Sequence, residues 1–270
     1  MTVNLHTHTS RCGHATGCEK DYIEKAIAGG IRVMGFSDHI PFVFPDGQES
    51  PFRIPMKAAQ NYIDTLHSLK EEYRNEITIH IGFEMEYYPL YFKDMLKIAT
   101  DMGAEYLLLG QHYIKNEDKA LAPRPSKPTT DKKNLICYAD TVIEAMETGV
   151  FSYFAHPDVF NFFGDDKIYT EQMKRICEAS NRCGVPLEIN FLGLRTGRQY
   201  PNRRFWEIAG ECGCEAVFGL DAHAVKEAAP DEIALTAAEY LVRANGLRYV
   251  PYPDLVDPLT KKRTPTQEEK

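Results

Sequence analysis

The chain alternates between short apolar runs and longer stretches of helical period. Seven runs rich in Val, Ile, Leu, Phe or Tyr predict buried strands: TVNLHTH, IRVMGFSDH, ITIHIGFEMEY, YLLLGQHYI, VFSYFAHPD, VPLEIN and EAVFGLDAH. Each ends in polar residues. Between them lie EKDYIEKAIAGG, MKAAQNYIDTLHSLKEEYRN, YFKDMLKIATDMG, DKKNLICYADTVIEAMETG, TEQMKRICEASNRCG and RRFWEIAGECG, and DEIALTAAEYLVRANG follows the last. These carry apolar positions at helical spacing, and most stop at glycine, the residue that closes a helix in the left-handed conformation. Sevenfold strand–helix alternation predicts a parallel sheet with helices outside it. One domain over residues 1–253 is expected, with a Pro- and Lys-rich tail over 254–270 read as extended or disordered. Two long loops, 40–55 and 115–130, are expected to serve the site.

The polar residues that end the strands change the picture from fold to chemistry. The first strand ends in His6 and His8, with His14 in the loop; the second in Asp38 and His39. The third brings Glu84 and Glu86, the fourth His112, the fifth His156 and Asp158. The sixth brings Glu188 and Asn190, followed by Arg195, and the seventh Asp221 and His223. Seven of the nine histidines thus fall at one end of the strands, the end where parallel α/β folds place their sites. His67, in a helix, and His80, at a strand start, fall elsewhere. A single strand-end histidine is more often structural than functional. Seven together point to metal, because imidazole and carboxylate are the ligands of Zn, Mn and Fe. One ion needs only three or four protein ligands, so the surplus implies two or three ions, with a carboxylate such as Glu84 shared between a pair. Three roles stay open for Asp38: ligand, partner orienting a histidine, or proton donor. Glu188 reads equally as a structural charge inside the barrel.

Composition narrows the partners. The net charge is −8, and no run of five like charges occurs, so a long nucleic acid is not an expected partner. Arg195, Arg198, Arg203 and Arg204 nevertheless form a local basic cluster able to grip a phosphate. No glycine-rich nucleotide loop is present. No apolar stretch approaches the length of a membrane span. Seven cysteines without a C-x-x-C pair suit reduced thiols and a cytoplasmic location.

In this order the motifs HTHTSRCGH, SDH, GFEMEY, LLGQH, FAHPD and GLDAH resemble the polymerase and histidinol-phosphatase (PHP) superfamily. The resemblance runs from Asn4 to His223. It implies a distorted (β/α)7 TIM-like barrel with a trinuclear centre of Zn, Mn or Fe. By position, His6, His8, Glu84 and Asp221 would hold one metal. Glu84 would bridge to a second, held also by His112 and His156, and His14, His39 and His223 would hold a third. Within the superfamily the chain is most similar to stand-alone histidinol-phosphate phosphatases, through SDHIPF, PFRIP, ITIHIGFEMEYYP and LEINFLGLRTGRQYPN. That similarity implies hydrolysis of the small phosphate ester L-histidinol phosphate by a metal-activated hydroxide. Arg53 would lie over the substrate, and Arg195, with Arg198 in reserve, would face the phosphate. Glu84, His39 and Asp38 would be the residues of catalysis, with Asp38 or a metal-polarised water as the donor to the leaving group. A phosphotyrosyl peptide, a nucleotide or an oligonucleotide end is the alternative substrate. A scaffold without catalysis is the reading from another class, and the full ligand set argues against it.

Overall fold

The computed structural model describes residues 1–117 and 122–266. Strands and helices alternate as the sequence predicts. They run β1 (Val3–Asn4), α1 (Glu19–Ala28), β2 (Val33–Phe36), α2 (Met56–Glu72), β3 (Thr78–Met85), α3 (Phe92–Asp101), β4 (Tyr106–Leu109) and α4 (Lys132–Glu147). There follow β5 (Tyr153–Phe154), α5 (Asp166–Cys183), β6 (Leu187–Asn190), α6 (Phe191–Thr196), α7 (Arg203–Glu211), β7 (Glu215–Gly219), α8 (Glu232–Asn245) and β8 (Arg248–Tyr249). The eight strands pair in sequential order, all parallel. Parallel neighbours of this kind need a crossover between them, which the helices supply.

The eighth strand is the departure from the expected seven. It pairs only with the start of β7, through Glu215 and Ala216. At the opposite end a single parallel bridge joins Thr7 to Ala222, and the His8 N–H donates to the Ala222 carbonyl at 2.9 Å. At that rim β1 and β7 are therefore direct neighbours. The ring that carries the strand-end histidines is seven-stranded, and β8 only flanks it.

The helix ends follow their local chemistry. Asp165 accepts from the backbone N–H of Lys167 and Ile168, so α5 starts four residues before the TEQ segment that predicted it, and Gly184 ends it at φ 62°. Among the described residues of the tail, two extended pieces pair: β9 (Asp254–Val256) and β10 (Arg263–Pro265) form an antiparallel hairpin. Leu255 enters the barrel beside Val3, Leu5, Val33, Tyr106, Leu108, Tyr153 and Val217. The Val256 N–H donates to Ser152 Oγ at 2.9 Å. A Pro-rich, charged stretch hid one apolar pair, Leu255 and Val256, that plugs the end of the barrel away from the histidines.

Leu255 is 5% exposed. Leu255→Ala is therefore expected to lower the unfolding free energy by about 2–4 kcal/mol. Denaturant melting checks this, and a loss below about 0.5 kcal/mol would show that the hairpin does not complete the core.

Candidate metal centre

Glu84, 1% exposed, ends β3 inside the barrel. Gly110, directly after β4, leaves it room: a Cβ there would collide with the Glu84 carboxylate, just as a Cβ on Gly219 would collide with that of Glu188. Glu84 Oε2 lies 3.4 Å from His6 Nε2 and 3.2 Å from His8 Nε2. Asp221 Oδ1 lies 3.5 and 3.4 Å from the same two nitrogens, which are 3.1 Å apart. A tetrahedral ion with ligands at roughly 2.0–2.2 Å requires donor–donor edges of about 3.3–3.6 Å. Three of these five distances fall in that range, and the His6–His8 and His8–Glu84 distances, 3.1 and 3.2 Å, lie just below it. Asp221 Oδ1 is buried and lacks a hydrogen-bond partner, which leaves its lone pairs for a cation.

The other oxygen of Glu84 faces a second set. Oε1 lies 2.9 Å from His156 Nε2 and 3.6 Å from His112 Nε2. A third region gathers the remaining imidazoles. His14 Nε2 and His223 Nε2 are 2.9 Å apart, and His39 Nδ1 stands 3.5 Å from Glu84 Oε2. His8 stacks between His39 and His223, at ring-centroid distances of 4.7 and 4.4 Å. The residues thus fit several cations around one shared carboxylate.

Further groups aim these donors. Glu188 Oε1 accepts from His6 Nδ1 at 2.8 Å, which leaves Nε2 of His6 as the lone-pair nitrogen. Its Oε2 accepts from the His156 backbone N–H at 3.0 Å and from Asn190 Nδ2 at 2.8 Å. Asn190 Nδ2 also reaches Asp221 Oδ2, at 3.0 Å. Glu86 Oε1 holds His112 Nδ1 at 2.9 Å. His156 and Asp221 sit at φ 33° and 46°, in the left-handed region that side chains disfavour. Such strain is kept where geometry is functional.

Electrostatics divides the histidines. Burial alone would lower His6 and His112, but nearby carboxylates outweigh it: Glu188, Asp221 and Glu84 at His6, Glu84 and Glu86 at His112. Both are held above the ordinary value of 6.5, as is His8, where the nearby carboxylates of Asp221 and Glu84 outweigh burial. Burial, then the charge of His8, pushes His14 down and His223 to about 3; burial dominates the fall of His39. Glu84 and Asp221 stay well below the usual carboxylate range because surrounding imidazoles overcome their desolvation. Protons on His6, His8 and His112 therefore supply positive charge that a cation would replace.

Above these donors opens a cleft of about 790 Å³. His8, His14, His39, Glu84, His112, His156, Asp221 and His223 line it. Three of the other sequence-predicted residues lie outside it. Asp38 is buried, and its two oxygens accept from the Thr9 N–H and Thr9 Oγ1, both at 2.8 Å. It braces the turn after His8 and has no position from which to protonate a leaving group. Arg53 does not lie over the cleft; it is 2% exposed and bound to Glu86 and Glu117. Arg195 donates to the Leu220 carbonyl at 2.7 Å, one residue before Asp221, and so supports the β7 end. Arg198 does line the cleft, beside Tyr200. So do Arg124 and Lys226, which sequence reasoning did not select. Arg124 lies in the long loop already expected to serve the site; Lys226 carried no signal beyond following the last histidine. Glu188, read from the sequence as a strand-end ligand or a structural charge, instead bonds His6 Nδ1 and the His156 N–H.

Fold and site together define a TIM-like barrel protein whose strand ends carry donor sets for several metal ions. The chain belongs to the PHP domain family, whose model matches residues 4–191. A probable histidinol-phosphatase of Deinococcus radiodurans is 25% identical over 228 residues, covering 81% of this chain and 85% of the relative. Its counterpart in Schizosaccharomyces pombe is 24% identical over 250 residues, covering 83% and 81%. Among solved structures, the fold is similar to histidinol phosphate phosphatase of Lactococcus lactis in complex with zinc, L-histidinol and phosphate. The TM-score is 0.72 at 16% identity, covering 97% of this chain and 98% of that one.

Because protons on His6, His8 and His112 compete with a cation, binding must release them. Their raised values extend the competition above pH 6.5. Zinc or manganese affinity is expected to rise with pH through that range and to weaken as pH falls. Titration calorimetry in buffers of different ionisation enthalpy checks this; affinity independent of pH between about 6 and 9 would contradict it.

Proposed function

We propose that this protein is a metal-dependent phosphomonoesterase that hydrolyses L-histidinol phosphate to L-histidinol and phosphate. The observation that carries the reading is a carboxylate shared by two donor sets at the base of a cleft whose wall bears Arg124, Arg198 and Lys226. His6, His8, Glu84 and Asp221 would hold one ion, and Glu84, His112 and His156 a second; His14, His39 and His223 would serve a third. Zn, Mn or Fe suits these ligands, and such ions, once bound, supply an activated water and offset charge on the phosphoryl oxygens.

The chain's own residues do the rest. Arg198, with Arg124 and Lys226, brings fixed positive charge to the phosphoryl group, and arginine does so with paired donors. Phe52 and Tyr113 stack at 6.1 Å and offer an aromatic wall to the imidazole of the substrate. Glu227 also lines the cleft, apart from the donor sets, and would meet the substrate ammonium. The named relatives and the Lactococcus complex support this substrate over other esters. A small-molecule partner also suits the net charge of −8, and among the described residues no helix is long and apolar enough to cross a membrane. The seven cysteines are free thiols, which fits a reducing compartment such as the cytoplasm.

Metal-loaded protein offered histidinol phosphate, phosphotyrosine, AMP and a 5′-phosphorylated oligonucleotide is expected to prefer the first by at least about tenfold in kcat/KM, roughly 1.4 kcal/mol. A smaller preference, or a preference for another ester, would overturn the substrate. Arg198→Ala is expected to lower kcat/KM by about 10- to 100-fold through loss of a charged hydrogen bond, with thermal stability nearly unchanged. Arg195→Ala is expected to lower the melting temperature, because it frees the Leu220 carbonyl. The reverse assignment of these two effects would return Arg195 to the phosphate.

A further inference from the structure

The buried guanidinium of Arg53 joins both long loops to the histidine at the end of β4. Its Nε and Nη2 donate to the two oxygens of Glu117, at 2.9 and 2.6 Å. Nη2 also donates to Glu86 Oε2 at 2.5 Å, and Nη1 to the Ile40 carbonyl at 3.1 Å. Tyr88 Oη donates to Glu117 Oε2 at 2.8 Å. Glu86 is thereby held at both oxygens, one by Arg53 and the other by His112 Nδ1 at 2.9 Å. A carboxylate gripped at both ends cannot rotate, so the imidazole it holds cannot turn either. Arg53 follows Phe52, whose ring meets His39 edge-on at 4.9 Å; Glu117 lies four residues beyond Tyr113, on which Phe52 stacks. Arg53 Cζ itself lies 5.1 Å from the Phe52 ring centroid, so the guanidinium also packs on the aromatic wall.

We infer that Arg53 is a positioning residue: through Glu86 it orients His112 for a metal ion, and its fork on Glu117 holds the guanidinium in place for that task. The inference rests on the reading of His112 as a metal ligand. Lysine cannot replace Arg53, because the contacts require a planar fork with donors on three nitrogens. The arrangement at His6 shows the difference. There Glu188 is steadied by the neutral Asn190 and by backbone, with no link to a distant loop.

The test is metal content, by mass spectrometry, of protein equilibrated in chelator-buffered zinc or manganese. His112→Ala marks the equivalent held at that position. Arg53→Lys and Glu117→Gln are expected to weaken that same equivalent by about 10- to 100-fold while the other equivalents stay as in the wild type. In a Glu86→Gln background Arg53→Lys should add less than about twofold, as residues acting in series do. Should Arg53→Lys not fold, Glu117→Gln, which retains a neutral acceptor for Arg53, gives the same readout. Affinities within about twofold of wild type at every equivalent, even with a lowered melting temperature, would overturn the inference. So would multiplying effects of Arg53→Lys and Glu86→Gln. A wild type that takes up no metal would overturn the metal reading itself, and the inference with it.

Discussion

One buried carboxylate organises this molecule. Glu84 presents Oε2 to His6, His8 and His39 and Oε1 to His112 and His156, contacts contributed by four strand ends. An ionised carboxylate away from water carries a desolvation cost that only opposite charge can offset. That charge comes from protonated imidazoles or from cations, and the geometry accommodates either. The surrounding barrel is shaped to keep Glu84 in place: bare glycine at Gly110, backbone strain at His156 and Asp221, and a bridge from Thr7 to Ala222 that closes the rim next to it. The apolar plug at the other end, with Leu255, serves a different need, since a parallel barrel must fill its interior where no ligands do.

The division between legible and illegible features follows the range of the interactions. Strand ends were legible because an apolar run that stops at a histidine or carboxylate announces both its strand and its chemistry. His67, exposed on α2, and His80, which pairs with Glu105 at 2.7 Å, stand apart from the cluster as expected. β8 was hidden by its composition: Arg248–Tyr249 opens on a charge, runs into Pro251 within two residues and is followed by no strand-end ligand. α6 was hidden because it follows β6 without a loop, with Asn190 serving both as the last strand residue and as the helix cap.

The arginines were the least legible part, and the reason is physical. A long side chain reaches partners that no local pattern specifies. Arg53 meets Glu86 and Glu117, 33 and 64 positions away, and those contacts turn an expected substrate residue into a buried brace. Arg195 turns back to β7, whereas Arg198, three residues later, faces the cleft. Asp38 illustrates the same limit: its neighbour His39 lines the cleft, while its own oxygens are consumed by Thr9. Strand register dictates where a residue sits, but the partner it finds there decides what it does.

The shared carboxylate is the claim on which the functional account stands, and anomalous X-ray diffraction from zinc-grown crystals tests it most directly. Two strong peaks are expected flanking the Glu84 carboxylate, one among His6, His8 and Asp221 and one beside His112 and His156, roughly 3.5–4 Å apart as in paired-metal hydrolases, whether or not a third appears among His14, His39 and His223. A single ion, or ions bound only away from Glu84, would contradict the shared carboxylate.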